Sequence, residues 1–170
     1  IYFHYYDENN HMTNWDLYMS DKLVQQCSFT YNEDGLVIEE IGLASGFGGT
    51  QMENSWRIVT EYNDHNYCSR ENQYFCSGYW DLYSYDEYTY DETGNCIKRD
   101  RYAASVVTDR HEYTYSEDYS IEEIVFPENP EEDYPEIHQM KTRLVSDKWS
   151  TENDQGNLQY VCDYIFNYTD

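Results

Sequence analysis

Aromatic and polar residues alternate in several short stretches of the chain. The stretches that end at Tyr31, Tyr90 and Tyr115 read Phe-Thr-Tyr, Tyr-Thr-Tyr and Tyr-Thr-Tyr. Alternation with a period of two places the aromatic side chains on one face of a β-strand. We therefore predict strands that end at these three tyrosines.

A recurring seven-residue window begins at each of these strand ends. Six windows start at Tyr6, Tyr31, Tyr62, Tyr90, Tyr115 and Glu152, and they read YDENNHM, YNEDGLV, YNDHNYC, YDETGNC, YSEDYSI and ENDQGNL. The second position is Asp, Asn or Ser, the third is acidic and the seventh is apolar in all six windows. The fifth is Gly or Asn in every window except the fifth window, where it is Tyr119.

Each column of the window has a physical reason. An Asp or Asn side chain that opens a turn accepts hydrogen bonds from the backbone just beyond it, and Gly or Asn tolerates the positive φ that closes the turn. The window therefore predicts a β-hairpin connection, a type I turn followed by a bulge. Because a positive φ is unfavourable for Tyr119, we expect a different geometry in the fifth window.

The windows together predict the architecture of the chain. Self-similarity at intervals of 25 to 37 residues indicates a repeat array. We predict an all-β fold of about a dozen strands, in which consecutive antiparallel hairpins form a twisted or curled open, largely single-layer sheet. Residues 1–170 are expected to form one repeat-array domain, with connections at 41–55, which is Gly-rich, and at 126–138, which contains all three prolines.

The pattern Tyr-Asp-Glu-x-Gly-Asn-apolar resembles the YD repeats of Rhs-type and wall-associated bacterial proteins, and of short YD-repeat-like bacterial surface proteins. The resemblance runs from Tyr6 to about Leu158 and is clearest at YDETGNC and YNEDGLV. It departs at ENDQGNL and in the irregular spacing of the windows. The resemblance implies a string of antiparallel hairpins on an extracellular or cell-envelope protein, with a binding or scaffolding role.

Composition narrows the partners that the protein can bind. Leu, Ile, Val and Phe account for only 30 of 170 residues, whereas there are 21 Tyr and 4 Trp, so we expect a thin core with many aromatic contacts. The 34 acidic residues against 10 basic ones give a net charge of -24, which opposes nucleic-acid binding. No stretch is apolar enough to span a membrane. A glycan or a protein is the expected ligand, and the two open sheet edges could support self-association.

The five cysteines show no zinc-type spacing. Cys68 and Cys76 flank the polar segment SRENQYF. If this segment is a hairpin with its loop at 71–73, the two cysteines lie opposite each other, and a disulfide is one interpretation. The alternative is that both are small apolar residues of a strand.

The sequence contains no complete catalytic or cofactor motif. GFGGT lacks the third glycine of a dinucleotide loop, the turns lack the ligand spacing of EF-hand calcium loops, and the five histidines form no HExxH pattern. Paired carboxylates suitable for glycoside hydrolysis would occur by chance among so many acids. We therefore expect no metal, no cofactor and no enzymatic activity, and a glycosidase-type enzyme is the less favoured alternative.

Aromatic side chains on the strands are the best candidates for ligand contact. Exposed Tyr and Trp offer rigid apolar faces with a polar tip, which suit both sugar rings and protein partners. The candidate ligand-binding residues are Tyr88, Tyr90, Tyr113, Tyr115, Trp80 and Trp149. Cross-strand aromatic pairs also stabilise a sheet without any ligand. A purely structural shell or spacer segment of a larger Rhs-like protein therefore stays open as an alternative.

Overall fold

The computed structural model describes residues 1–45, 51–120, 142–153 and 156–165. These residues form eleven antiparallel strands in one open sheet, and the order of the strands in the sheet follows the chain. The strands are β1 (Tyr2–Tyr6), β2 (Met12–Met19), β3 (Lys22–Tyr31), β4 (Val37–Ser45), β5 (Met52–Tyr62), β6 (Cys68–Cys76), β7 (Trp80–Tyr90), β8 (Cys96–Ala103), β9 (Val106–Ser120), β10 (Thr142–Glu152) and β11 (Leu158–Ile165). The prediction of an all-β fold with an open antiparallel sheet is confirmed.

Five of the six windows form the predicted turn. In the fourth window, the Asp91 N–H donates to the Asn95 carbonyl (3.0 Å) and the Gly94 N–H donates to the Asp91 carbonyl (3.1 Å). One Asp91 carboxylate oxygen also accepts the N–H groups of Thr93 and Asn95. The same backbone pattern recurs after Tyr6, Tyr31, Tyr62 and Glu152, and the fifth residue has a positive φ in each of these windows (Asn10, Gly35, Asn66, Gly94 and Gly156).

The fifth window is not a turn. Strand β9 continues through Tyr115 to Ser120, so the chain does not reverse within this part of the window. Strand β10 then pairs with β9 in an irregular register, in which Leu144 faces Tyr115 and Thr142 faces Ser120. The different geometry that Tyr119 predicted is thus an extended strand. The proline-containing connection predicted at 126–138 lies outside the described residues.

Of the two interpretations of SRENQYF, the hairpin is wrong and the strand is observed. Residues 68–76 form the single strand β6, and both Cys68 and Cys76 are free thiols. Eight residues along one strand separate the two cysteines by roughly 26 Å, so no disulfide can join them within this strand. The loop predicted at 41–55 is also shorter than expected, because β4 extends to Ser45 and β5 begins at Met52.

The chain divides into two compact units. The first comprises Ile1–Glu61 and Glu71–Tyr85, and the second comprises Tyr62–Arg70 and Asp86–Asp170. In the first unit, Trp15, Cys27, Gly42 and Trp56 are successive cross-strand partners on β2 to β5. The two indole rings stack at 6.3 Å between centroids. A Cβ on Gly42 would lie 1.9 Å from the Trp56 ring, so this position requires glycine.

The described residues contain no helix of the length and apolar character needed to cross a bilayer.

Candidate functional site

The tyrosine that opens a window bonds to the window before it. The hydroxyl of Tyr31 donates to the Met12 carbonyl (2.7 Å), that of Tyr90 to the Cys68 carbonyl (2.8 Å) and that of Tyr115 to the Cys96 carbonyl (2.5 Å). Met12, Cys68 and Cys96 each occupy the seventh position of the preceding window. The repeated tyrosine therefore connects one hairpin to the next.

Ring packing and glycine strengthen the same junction. His11 and Tyr67 hold the sixth position of their windows, and they pack on the next tyrosine, with ring centroids 4.7 Å apart for His11 and Tyr31 and 5.0 Å apart for Tyr67 and Tyr90. A Cβ on Gly94 would lie 2.4 Å from the Tyr67 hydroxyl, so glycine is needed there for space as well as for its φ of +89°. The window therefore specifies the packing between hairpins and not only the turn.

Four of the predicted ligand-binding tyrosines surround one buried thiol in the second unit. Cys96 is fully buried and Tyr113 is only 6% exposed, while Tyr88, Tyr90 and Tyr115 are partly buried against them. Burial raises the pKa of the Cys96 thiol to about 12, so this cysteine is unreactive at neutral pH. Burial likewise raises the pKa of Tyr113 and Tyr115.

Buried ion pairs adjoin this tyrosine cluster. Asp86 is 2% exposed and accepts two hydrogen bonds from Arg101 (3.0 and 3.1 Å), while Arg99 lies 3.5 Å from it. Asp100 binds Arg110 and Lys98. Burial by itself would raise the pKa of Asp100, but hydrogen bonds from Arg110 and Lys98 hold it below its usual value. Each of these buried carboxylates thus has cationic partners.

His111 lies between two carboxylates. Its Nδ1 is 2.8 Å from Asp147 Oδ2 and its Nε2 is 3.1 Å from Asp109 Oδ1. Burial would lower the pKa of His111, but hydrogen bonds and charges from Asp109 and Asp147 outweigh it and raise the pKa to about 9. The Trp149 ring stacks on the imidazole, with centroids 6.2 Å apart, and its Nε1 donates to Asp109 (2.9 Å). His111 is therefore a protonated, doubly hydrogen-bonded residue at neutral pH.

An aromatic pocket of about 450 Å³ lies in the first unit, lined by Trp56, Arg57, Ile58, Gln73, Tyr74, Phe75 and Tyr83. Tyr83 is 73% exposed and Phe75 is 57% exposed. The Arg57 guanidinium lies 5.4 Å from the centroid of the Tyr74 ring, and Glu39 holds it at 2.6 Å. Because side chains alternate along a strand, Tyr74, Tyr83 and Arg57 share one face, and the Trp56 and Phe75 side chains point to the other. The pocket thus combines tyrosine rings with one oriented cation. We call it the aromatic pocket.

The structure brings some of the predicted residues together and separates others. Tyr88, Tyr90, Tyr113 and Tyr115 form the cluster around Cys96, and Trp149 packs on His111. Trp80 is partly buried at the start of β7. The aromatic pocket was not predicted, because its rings come from strands β5, β6 and β7. Of the two interpretations of SRENQYF, only the strand places Tyr74 between the neighbouring strands β5 and β7.

Comparisons with known proteins found similarity to solved structures at low sequence identity. No family model and no curated protein matches the chain. Among solved structures, a DUF3836 family protein from Parabacteroides distasonis is 16% identical and has a TM-score of 0.37, with 44% of this chain and 69% of that chain covered. A DUF3836 family protein from Bacteroides vulgatus is 14% identical, with a TM-score of 0.35 and coverage of 52% and 81%. A protein of unknown function from Bacteroides fragilis is 11% identical, with a TM-score of 0.37 and coverage of 98% and 92%.

Proposed function

We propose that this chain is a non-catalytic binding and scaffold protein that contacts its ligand through the aromatic pocket. The observation that carries the proposal is the exposure of Tyr83 (73%) beside Tyr74 and the Arg57 guanidinium in one pocket. Apolar surface in water costs about 25 cal/mol per Å². Exposed apolar patches are therefore typical of surfaces that bind a partner or ligand.

A neutral glycan is the ligand class that this chemistry suits best. Exposed aromatic rings stack on the apolar faces of sugars, while the Arg57 guanidinium supplies hydrogen-bond donors at the pocket. The net charge of -24 repels anionic polymers such as sialylated or sulfated glycans. A protein ligand is the second class, since exposed Tyr and Arg are also common at protein interfaces.

The electrostatics of the second unit support a role without catalysis. A general base needs a nitrogen or oxygen that is free to accept a proton from the substrate. Both ring nitrogens of His111 are occupied by Asp109 and Asp147. The raised pKa of His111, about 9, also keeps the ring protonated at neutral pH. The buried carboxylates of Asp86 and Asp100 are neutralised by arginines.

A location outside the cell or in the cell envelope is part of the proposal. It is supported by the resemblance of the windows, above all YDETGNC and YNEDGLV, to the YD repeats of bacterial surface proteins. The alternative, a purely structural shell or spacer segment, predicts that the aromatic pocket binds nothing.

The experiment that tests the proposal is a fluorescence titration of the 170-residue chain with desialylated and sialylated mucin glycans and with neutral glucan and chitin oligosaccharides. We expect saturable quenching of the aromatic fluorescence by one neutral class, since Tyr74 and Tyr83 line the pocket. Tyr83→Ala or Tyr74→Ala should weaken binding at least tenfold. Tyr6→Ala, which removes another exposed ring (56%), is the matched control and should leave binding unchanged. Equal quenching by the wild type and the pocket variants would refute the proposal.

A further inference from the structure

Arg57 in the aromatic pocket is paired with a carboxylate that does not line the pocket. Strand β4 pairs with β5 so that Ile41 faces Arg57 and Glu39 faces Val59. Glu39 and Arg57 are therefore diagonal neighbours on one face of the sheet. The Nε and Nη2 atoms of Arg57 both lie 2.6 Å from Glu39 Oε1. Glu39 thus influences a ligand through Arg57 and through its own charge.

This pairing limits what the guanidinium can recognise. An arginine binds a carboxylate most strongly through two parallel N–H groups on one edge of its planar fork. Glu39 already occupies the edge formed by Nε and Nη2. The remaining N–H groups can still donate to uncharged oxygens, such as the hydroxyl and ring oxygens of a sugar. Arg57 therefore offers a ligand hydrogen bonds without an uncompensated positive charge.

The pair is shielded from solvent enough for its charges to matter. The Arg57 side chain is 32% exposed and that of Glu39 is 26% exposed. The Tyr74 ring, whose centroid lies 5.4 Å from the guanidinium, adds a cation–π contact. Charges interact more strongly at such a site than in bulk water. A ligand carboxylate that approached Arg57 would therefore be repelled by the carboxylate of Glu39.

We propose that Glu39 is the positioning residue that makes the aromatic pocket select neutral sugars over sugars that bear a carboxylate. This inference rests on the function proposed for the pocket and adds the residue that sets its charge selectivity. Selection by the net charge of -24 would act at long range and would be screened by salt, beyond a Debye length of about 8 Å under physiological conditions. Glu39 lies within hydrogen-bond distance of Arg57, so its effect should persist at that salt concentration.

The next residue on the same strand supplies a matched control. Glu40 points to the opposite face of β4, where its Oε1 accepts a hydrogen bond from Trp56 Nε1 (3.0 Å). Glu39→Gln and Glu40→Gln each remove one negative charge, and glutamine keeps an oxygen that can accept the Trp56 hydrogen bond. Only Glu39→Gln removes the carboxylate that occupies the Arg57 fork.

The test compares matched glycans with and without a carboxylate, by titration calorimetry of the whole chain at moderate salt. The probes are desialylated and sialylated mucin glycans, and glucan oligosaccharides before and after oxidation of C6 to the uronic acid. We expect the wild type to bind the neutral member of one pair at least tenfold more tightly. Glu39→Gln should raise the affinity for the acidic member roughly fivefold, the effect of a charged hydrogen bond at a partly exposed site. Glu40→Gln should leave this affinity unchanged.

Two further variants separate the selectivity from an effect on folding. Glu39→Asp keeps the negative charge and should keep the preference for neutral glycans, even where its shorter side chain lowers the affinity for both members of a pair. Glu39→Gln combined with Arg57→Gln should lose the gain for the acidic glycan, because the fork is then absent. Chemical denaturation of each variant verifies that it is folded under the conditions of the titration.

The possible failures can be told apart. If the wild type binds none of these glycans, both the function proposed for the pocket and the role of Glu39 are overturned. If the wild type binds a neutral glycan but Glu39→Gln has the same preference, only the role of Glu39 is overturned. An equal gain in Glu40→Gln would also overturn it and would assign the selectivity to the overall charge.

Discussion

At the scale of the residue, the repeated tyrosine is explained by its hydroxyl as much as by its ring. The ring packs on the sixth residue of the preceding window, as Tyr90 does on Tyr67. The hydroxyl then satisfies a backbone carbonyl at the point where the strand leaves the turn. Phenylalanine could supply the first contact but not the second. This explains why tyrosine, and not phenylalanine, opens these windows.

The hydroxyl of Tyr115 gives the sharpest stability prediction. Tyr115→Phe leaves the partly buried carbonyl of Cys96 without its donor, so we expect a loss of about 1–2 kcal/mol of unfolding free energy. Chemical denaturation measures this directly. The control is Tyr83→Phe, which alters a 73% exposed side chain and should change the unfolding free energy by less than about 0.5 kcal/mol. An equal effect of the two substitutions would contradict the structural role of the hydroxyl.

Protonated His111 stabilises the fold, so the free energy of unfolding should fall as the pH becomes alkaline. Its pKa is raised from 6.5 in the unfolded chain to about 9 in the folded protein. The stabilisation is therefore complete below about pH 6.5 and is lost as the pH rises through about 9. Denaturation midpoints should decrease as the pH rises from 6.5 to 7.5, a window about one unit below the ordinary pKa of a thiol. His111→Gln should remove most of this slope, and an unchanged slope would show that other groups cause it.

At the scale of the element, the window sequences predict turns better than strands. The turn after Tyr90 depends on local chemistry, namely the Asp91 carboxylate and the positive φ of Gly94, and both can be seen in the sequence. The two-residue turns at Ser20–Asp21 and Ala104–Ser105 also have positive φ values, yet they contain no glycine or Asn-Gly pair that would signal them. Turns of this kind are specified by the pairing of their strands.

Strand β6 shows why the sequence alone leaves a hairpin open as one interpretation. The loop of that hairpin, 71–73, is polar. In the fold, Asn72 is only 5% exposed, its amide donates to Glu61 (3.0 Å), and Gln73 accepts a hydrogen bond from Ser84 (3.0 Å). Cross-strand hydrogen bonds between side chains thus replace an apolar core. Their partners are distant in sequence, so no local pattern could reveal them.

The glycine of the fourth window supplies a test of the junction between hairpins. Gly94→Ala imposes both an unfavourable φ and a clash with the Tyr67 hydroxyl, 2.4 Å from the new Cβ. Gly78→Ala also has a positive φ, but its Cβ would meet nothing within 4 Å. We expect Gly94→Ala to lose at least 1 kcal/mol more unfolding free energy than Gly78→Ala. Equal losses would mean that φ alone requires glycine.

At the scale of the whole molecule, the fold is stabilised by tyrosine hydroxyls, aromatic rings and paired charges, because aliphatic residues are few. The all-β class and the open sheet could be predicted from the windows and the alternation of residues. The ion pairs of Asp86 with Arg99 and Arg101 could not, since a charged residue on a strand is normally read as exposed. The aromatic pocket was equally hidden, because its rings meet only through the pairing of distant strands.

We infer that the aromatic residues have two separate roles. The window tyrosines join hairpins, and the residues of the aromatic pocket bind the ligand. The most direct test is the binding isotherm of the neutral glycan class that quenches the wild type, measured for Tyr115→Phe and for Tyr83→Ala below their unfolding transitions. We expect Tyr115→Phe to keep the wild-type affinity and Tyr83→Ala to lower the affinity at least tenfold. Loss of affinity in Tyr115→Phe with none in Tyr83→Ala would contradict it and would place ligand contact at the tyrosine cluster around Cys96.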